Sequence, residues 1–286
     1  MNKARSPAPV IDAVAAAALM EPLTDLMIRA GAAILAVNRA AMRIDGKLDG
    51  SPVTEADLAA DRIIAEGLAR LAPEIPALSE ERVDAAKPPY VGSFFLIDPL
   101  DGTKEFVAGR GEFTVNLALV SNGRPLLGII GAPALGLIWR GLVGRGAERL
   151  NTREAAAAEP IHTRALPKRG EPWTVAVSRS HLDGRTEAFV AQRPGAVRET
   201  LGSAVKFSRV AEGGADIYPR LAPTCEWDVA AGHAIVTAAG GRITDAQGAD
   251  LQFGKGRQGL DGQHGFIVPE FIAWGDPAAA GQFGQG

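Results

Sequence analysis

The chain has 286 residues, 47% of them hydrophobic, so it is long enough to bury a sizeable core in one large or two smaller domains. Its net charge of −3 comes without a basic run, which gives no reason to expect a nucleic-acid polymer or an acidic membrane as the main partner. We therefore expect a small-molecule substrate. The lone Cys225 excludes an internal disulfide and the N-terminus lacks the pattern of a secretion signal, so we expect a cytoplasmic location. Peripheral membrane attachment and the choice between monomer and homodimer stay open.

The first part of the chain predicts two amphipathic helices, at residues 12–43 and 54–72. The second helix begins with the letters TEAD at 54–57, in which Thr54 and Asp57 have the spacing of a capping box. Asp57 is therefore open to two interpretations, because it either only caps the helix or also takes part in chemistry.

Acidic residues follow two short apolar runs that predict buried strands, at 75–78 and 93–97. Glu80 and Glu81 come just after the first run, and Asp98 stands at the end of the second. Because ligands gather at strand ends, these carboxylates are candidate ligands for a bound group. An isolated acidic pair is also common on a solvated surface.

The letters DPLDGT at 98–103 place two carboxylates, a hydroxyl and a turn next to one another. Gly102 allows a ligand to approach the backbone closely, and the N–H groups of Gly102 and Thr103 are expected to point outward as at a helix N-terminus, where anions bind. These groups suit a metal-assisted phosphatase, although the same residues also favour a simple tight turn. A calcium EF-hand and a phosphoaspartyl phosphatase do not fit, because Gly109 stands where the first requires Glu and Pro99 where the second requires Asp.

The middle of the chain predicts a strand-rich unit followed by a boundary. Its apolar, alternating runs are 113–120, 125–130 and 136–142. The letters SNGR at 121–124 are typical of a hairpin turn. Residues 151–171 are rich in Ala, Pro and charge without apolar periodicity, so we expect two units, 1–158 and 159–286.

The last part of the chain predicts alternating strands and helices, which is typical of an α/β unit. A strand is expected at 173–177 and a helix after Asp183. A helix of small residues begins at Asp228 and ends at Gly240. By position Asp228 could be the N-cap of this helix, so a structural role is as open as a ligand role.

Taken in chain order, four motifs together resemble the inositol monophosphatase superfamily of magnesium-dependent, lithium-sensitive phosphomonoesterases. They are the Thr-x-x-Asp helix start at Thr54, the acidic pair at Glu80, DPLDGT at 98–103 and the Trp-Asp pair at Trp227. The letters KEF at 104–106 and GEFTVN at 111–116 are most similar to the bisphosphate nucleotidases of that superfamily, whereas inositol phosphatases usually carry Asn-Phe after the threonine. The resemblance covers roughly residues 20 to 268.

This resemblance implies the fold and the metal site. The fold would be α/β (α+β), a layered αβαβα sandwich, with the active site between an N-terminal unit that carries most metal ligands and a C-terminal unit that supplies the rest. The resemblance also implies two or three Mg²⁺ ions per site, with Asp98 bridging two of them. The implied metal ligands are Glu80, Asp98, the carbonyl of Leu100, Asp101 and Asp228.

The resemblance further implies the catalytic and substrate-binding residues. Asp57 and Thr103 would form the proton-accepting pair that activates the attacking water, and Glu80 is an alternative base. The implied substrate contacts are Leu100, Asp101, Gly102, Thr103, Ser178, His181, Gly202, Lys206 and Asp228. Of these, Lys206 would neutralise the phosphate that is not cleaved.

The implied reaction is the hydrolysis of 3′-phosphoadenosine 5′-phosphate to AMP and phosphate, a clean-up step of sulfate assimilation, with the sulfated form of the substrate left open. An inositol or sugar phosphatase on the same scaffold is the nearest alternative. A catalytically inactive nucleotide sensor is a remote one, because every implied metal and proton-transfer position is filled in this sequence.

Overall fold

The computed structural model describes residues 8–46, 52–85, 90–154, 157–180, 183–256 and 265–280. Its first half contains, in chain order, α1 (Ala13–Ala36), β1 (Ile44–Gly46), β2 (Pro52–Thr54), α2 (Glu55–Leu71), β3 (Ala77–Ser79), a 3₁₀ helix (Glu80–Ala85), β4 (Ser93–Asp101), α3 (Thr103–Val107), β5 (Thr114–Ser121), β6 (Arg124–Ala132), β7 (Leu137–Leu142), β8 (Gly146–Asn151) and β9 (Glu159–Ile161). The second half contains β10 (Thr174–Ser178), α4 (Gly184–Ala191), β11 (Val197–Leu201), α5 (Val205–Ala211), β12 (Ile217–Arg220), β13 (Thr224–Cys225), α6 (Glu226–Ala238), β14 (Arg242–Thr244), β15 (Ile267–Val268), β16 (Phe271–Trp274) and α7 (Pro277–Ala280). No helix within these described ranges is long and apolar enough to cross a membrane.

The first sheet has seven strands in the order β3-β4-β5-β6-β7-β8-β9. β3 and β4 run parallel, and each later pair is antiparallel. Successive side chains of β4 alternate between two cores, because Phe95 and Ile97 pack with α1 and α2 whereas Phe94 and Leu96 pack with α6. Helices therefore cover both faces of this sheet, which explains why β4 is apolar on both sides.

The second sheet has five strands in the order β11-β10-β12-β16-β14. β10 runs parallel to β11 and β12, and β16 runs antiparallel to β12 and β14. One face packs with α5 and α6 through Tyr218 and Phe271, and the other packs with α4 and α7 through Ile217 and Trp274. The layers succeed one another as helix, sheet, helix, sheet and helix, so the predicted αβαβα sandwich is confirmed.

The central helix α6 lies very close to its neighbours because a glycine stands at each of two contacts. A Cβ atom on Gly128 of β6 would lie 2.2 Å from the carbonyl oxygen of Ala231 in α6. A Cβ atom on Gly232 of α6 would likewise lie 2.2 Å from Cγ of Phe207 in α5. This packing fixes the first turn of α6, and with it Asp228, beside the first sheet.

Two local predictions are confirmed by the backbone. The helix predicted at 54–72 is α2, Glu55–Leu71. The hairpin predicted between β5 and β6 turns at Asn122 and Gly123, whose φ angles are 50° and 74°. Both residues tolerate positive φ, which a two-residue hairpin turn of this hand requires.

The structure departs from the sequence predictions at two places. The helix predicted to reach residue 43 ends at Ala36, because Val37 adopts an extended conformation. Residues 159–161 form β9, the edge strand of the first sheet, although the sequence placed them at the start of the second unit. Since one buried cluster runs from the first sheet through α6 to the second sheet, the division at residue 158 stays a prediction.

Replacing Gly128 by alanine tests the close packing of α6. The new Cβ would lie 2.2 Å from the Ala231 carbonyl oxygen, so the helix has to shift. We expect the free energy of unfolding to fall by about 1–3 kcal/mol. Gly131→Ala is the matched control on β6, since Ile138 Cγ1, the nearest atom to its new Cβ, lies 3.9 Å away. Urea unfolding measures both variants, and equal stabilities would contradict this description of the α6 contact.

Candidate active site

Three carboxylates from separate parts of the chain meet at one end of the first sheet. Glu80 follows β3, Asp98 lies near the end of β4, and Asp228 lies in the first turn of α6. One oxygen of each lies within 4.8 Å of the others, and Asp98 is only 2% exposed. Because β3 and β4 are parallel neighbours, their carboxyl ends bring the first two acids together, and the packing of α6 adds the third.

Local hydrogen bonds orient two of these carboxylates. The N–H of Leu100 donates to Asp98 Oδ1 at 3.0 Å, within a shift of register between β4 and β5. Asp228 Oδ2 accepts a hydrogen bond from the Thr224 hydroxyl and another, at 3.3 Å, from the N–H of Cys225. Asp228 is therefore the third residue of α6 and not its N-cap, which is Cys225.

The electrostatics of the site reflect negative charge collected in a buried place. Burial, reinforced by the charge of Asp101 and opposed by Arg220, raises the pKa of Asp228 to about 7. Burial, followed by the charge of Asp228, also raises the pKa of the Cys225 thiol. A thiolate nucleophile is therefore disfavoured at neutral pH.

Asp101 connects the 98–103 loop to the second half of the chain. Its Oδ2 accepts hydrogen bonds from Ser203 Oγ at 2.7 Å and from Asn116 Nδ2 at 3.3 Å. Gly102 follows with a φ of 89°, which lets the backbone turn from Asp101 into α3. Asp101 is thus held at the boundary between the two halves, next to the cluster formed by Glu80, Asp98 and Asp228.

Asp57 caps α2 and also contacts the hydroxyl of Thr103. Its Oδ2 accepts from the N–H and the hydroxyl of Thr54, at 2.8 and 2.6 Å, so the predicted capping box is confirmed. Its Oδ1 accepts from the Thr103 hydroxyl at 3.2 Å, and the same hydroxyl lies 3.2 Å from the carbonyl oxygen of Leu100. One carboxylate, only 2% exposed, therefore caps α2 and orients a hydroxyl of the 98–103 loop.

A cavity of about 320 Å³ lies over these groups, between the two halves. This volume falls at the lower end of the range of small-molecule sites, about 300–1,000 Å³. Its polar lining includes Glu80, Asp98, Asp101, Gly102 and Thr103 from the first half and Ser178, Ser180, Gly202, Ser203, Tyr218, Arg220 and Asp228 from the second. Most of the site residues named from the sequence thus share one cavity.

Arg220 is a lining residue to which the sequence analysis gave no role. It ends β12, and its buried Nε has no hydrogen-bond partner among the described residues. Burial alone would lower its pKa, but the neighbouring Tyr218 and Asp228 hold the pKa of the guanidinium above its ordinary value. The signal that could have found it is a cation placed at a strand end shortly before Asp228.

The predicted substrate contacts in the second half differ in their placement. Ser178 and Gly202 line the cavity, although the N–H of Gly202 donates to Glu112 Oε2 at 2.7 Å. Lys206 is only 3% exposed, and its ammonium donates to the Ser203 carbonyl oxygen. Burial, opposed by the charge of Asp101, lowers the pKa of Lys206 to about 8.

Lys206 thus lies behind the cavity wall, with its ammonium 5.2 Å from the centre of the Tyr218 ring. The role of this residue as a direct phosphate contact remains a prediction that the geometry does not favour. His181 lies outside the described residues.

The donor set fits a hard divalent cation. Carboxylate oxygens are the ligands that such cations prefer. The raised pKa of Asp228 reflects burial first and the charge of Asp101 second, and a bound cation would offset both. The same cavity holds a hydroxyl oriented by a carboxylate and a guanidinium. Fold and site together define a metal-assisted phosphatase.

The inositol monophosphatase family model matches residues 16–271, so the chain belongs to this metal-dependent family. A relative in Salmonella typhimurium (strain LT2), the 3′(2′),5′-bisphosphate nucleotidase CysQ, is 41% identical over 238 residues, covering 82% of this chain and 94% of the relative. CysQ of Escherichia coli (strain K12) is 38% identical over 243 residues, with the same coverage of 82% and 94%.

Solved structures give the same family. The crystal structure of CysQ from Bacteroides thetaiotaomicron matches with a TM-score of 0.72 and 32% identity, covering 89% of this chain and 96% of that one. An inositol monophosphatase from Thermotoga maritima matches with a TM-score of 0.70 and 25% identity, covering 91% and 93%. These neighbours agree with the layered sandwich described above.

Removing the charge of Asp228 tests the electrostatic description of the site. In the metal-free protein, Asp228→Asn should raise the melting temperature, because it removes a half-buried charge from an acidic cluster and keeps the side-chain shape. The folded-state pKa of Asp228 is raised from 3.8 to about 7, so the unfolded chain ionises at lower pH than the folded protein. The resulting destabilisation grows as the pH rises from about 4 to about 7 and is fully present above that.

The gain in melting temperature should therefore be larger at about pH 8.5 than at about pH 5.5. Thermal unfolding in the presence of a chelator measures both values. A gain of the same size at the two pH values, or a loss, would contradict the description of Asp228 as a carboxyl whose pKa is raised by its surroundings.

Proposed function

We propose that the chain is a magnesium-dependent 3′(2′),5′-bisphosphate nucleotidase that hydrolyses 3′-phosphoadenosine 5′-phosphate to AMP and phosphate. Relatives that carry this activity in their names are 38% and 41% identical over most of the chain. The observation on which the proposal depends is that Arg220 lines the same cavity as the carboxylate cluster. A substrate with two phosphates requires metal ligands for the phosphate that leaves and a cation for the one that stays.

The metal ligands in this proposal are Glu80, Asp98, the carbonyl of Leu100, Asp101 and Asp228. Magnesium held by them would polarise the phosphoryl group and lower the pKa of a nearby water molecule. Asp98, the most buried of the three clustered carboxylates, would be the ligand shared between ions that the family resemblance implies. Two or three ions per site is the number that the family resemblance implies.

Thr103 and Asp57 move the proton in this proposal. The Thr103 hydroxyl donates to Asp57 Oδ1, which leaves the lone pairs of the hydroxyl oxygen to accept a proton from the attacking water. The hydroxyl proton passes to Asp57, whose other oxygen is held by Thr54. Glu80 stays an alternative base, because it lies in the carboxylate cluster itself.

The remaining contacts divide between the two ends of the substrate. We assign the N–H groups of Gly102 and Thr103 to the phosphate that is cleaved, since both residues line the cavity beside the carboxylates. We assign Ser178 and Arg220 to the part that is retained. Lys206 would act indirectly, by holding the carbonyl of Ser203. A cytoplasmic location is proposed from the cysteine content alone.

The proton-transfer pair is tested by single and double substitution. Thr103→Ala and Asp57→Asn should each lower kcat by about 10²–10⁴-fold, the usual effect of a positioned proton acceptor. Because the two residues act as one unit, the double variant should be little worse than either single variant. Steady-state kinetics at saturating magnesium measures this, and losses that multiply in full would rule out a functional pair.

Arg220 and Lys206 are separated by their effects on two substrates. Arg220→Ala should lower kcat/KM for 3′-phosphoadenosine 5′-phosphate about 10- to 150-fold more than for inositol 1-phosphate, because a charge-assisted hydrogen bond to the second phosphate is lost. Lys206→Ala should show no such selectivity, since Lys206 lies behind the wall.

Equal losses of kcat/KM on both substrates would show that Arg220 does not contact the second phosphate. A wild-type preference for inositol 1-phosphate would replace the proposal by an inositol phosphatase. Binding of the nucleotide without turnover in the presence of magnesium would identify a catalytically inactive sensor.

A further inference from the structure

Glu105 occupies the boundary between the two halves, directly after the 98–103 loop. It lies in the short helix α3, and its side chain is only 4% exposed although it borders the cavity. A carboxylate is seldom buried unless hydrogen bonds or charges compensate its lost hydration. The partners of Glu105 therefore indicate what it does.

The carboxylate of Glu105 contacts the segment that follows β10. Its Oε1 accepts a hydrogen bond from the Ser180 hydroxyl, two residues after Ser178. A hydroxyl bonded to a charged oxygen forms one of the stronger hydrogen bonds of a protein. Through it, the 98–103 loop and the segment 178–180 are joined across the cavity.

The side chain of Glu105 fills a narrow space between two glycines, one from each half. Its Oε2 lies 3.4 Å from the position that a Cβ of Gly102 would take, and its Cγ lies 3.1 Å from the position of a Cβ on Gly202. The side chain therefore has little freedom to leave Ser180. This packing makes the carboxylate a rigid support.

A second carboxylate joins the halves independently of Glu105. Glu112 accepts hydrogen bonds from Arg179 Nη2 at 2.7 Å and from the N–H of Gly202, also at 2.7 Å. Loss of Glu105 alone therefore leaves the halves connected. Its effect should be confined to the position of Ser180 and its neighbours.

We propose that Glu105 is a positioning residue, which fixes the segment 178–180 against the 98–103 loop and thereby sets the affinity for the nucleoside part of the substrate. The proposal rests on the proposed function, because that function supplies the nucleoside. The cleaved phosphate lies at the carboxylate end of the cavity, so the segment 178–180 is left to contact the part that is retained. Glu105 itself touches neither the reacting atoms nor the metal ligands in this proposal.

The experiment compares Glu105→Ala, Glu105→Gln and Ser180→Ala. With 3′-phosphoadenosine 5′-phosphate, Glu105→Ala should raise KM about 10- to 100-fold and leave kcat within about twofold, because the segment is misplaced while the chemistry is intact. The magnesium concentration for half-maximal rate should not change. Glu105→Gln should behave nearly as the wild type, since its amide oxygen still accepts from Ser180.

Two further measurements distinguish positioning from a general structural effect. Titration calorimetry with AMP measures binding without turnover. The affinity of Glu105→Ala for AMP should fall by the same factor as its KM rises. Ser180 is exposed, so Ser180→Ala is expected to fold, and it should match Glu105→Ala, with the double variant no worse than either. Glu187→Ala, which removes a surface ion pair with Arg198, is the control expected to change nothing.

Three outcomes would overturn the assignment of Glu105. The first is a Glu105→Gln variant as defective as Glu105→Ala, because it would show that the negative charge near Lys206 matters and not the hydrogen bond. The second is fully additive effects of the Glu105 and Ser180 substitutions. The third is an equal loss of kcat/KM on the nucleotide and on p-nitrophenyl phosphate. Failure of the wild type to hydrolyse the nucleotide would instead overturn the proposed function, and it is seen before any variant is compared.

Discussion

Carboxylates that are buried close together repel one another, because a protein interior screens charge far less than water does. In this protein the oxygens of Glu80, Asp98 and Asp228 lie within 4.8 Å of one another, and Asp101 adds its charge to that on Asp228. Backbone and hydroxyl hydrogen bonds hold Asp98 and Asp228 in place. The metal-free site is therefore electrostatically unfavourable, and a divalent cation would relieve it.

The architecture maintains this cluster by packing a helix layer from the second half of the chain against the sheet of the first half. α6 and α5 lie between the two sheets, and glycine contacts at Gly128 and Gly232 bring α6 close enough to present Asp228 beside Asp98. The cavity forms where the two halves meet, and Glu105 and Glu112 join them at its edge. The position of the carboxylate cluster and that of the segments proposed to contact the substrate are thus set by the same interface.

The parts that could be predicted from the sequence are those that adjacent residues determine. The strand that ends near Asp98, the capping box at Thr54 and the hairpin at Asn122 each follow from patterns a few residues long. The order of the motifs was sufficient to identify the family and the layered fold. The cluster of carboxylates needed the resemblance, since no local pattern brings Glu80 to Asp228.

Contacts between distant segments were beyond sequence reasoning. The roles proposed for Arg220 and Glu105 depend on a cavity and an interface that only the folded chain forms. Lys206 looked like a phosphate contact, yet the packing of Tyr218 and the Ser203 carbonyl place it behind the wall. Anomalous diffraction from crystals soaked in Mn²⁺, which accepts the same oxygen ligands as Mg²⁺, tests the central claim most directly. The account predicts anomalous peaks bounded by the carboxylates of Glu80, Asp98 and Asp228, whereas peaks only at other places, or none at a Mn²⁺ concentration that supports turnover, would contradict it.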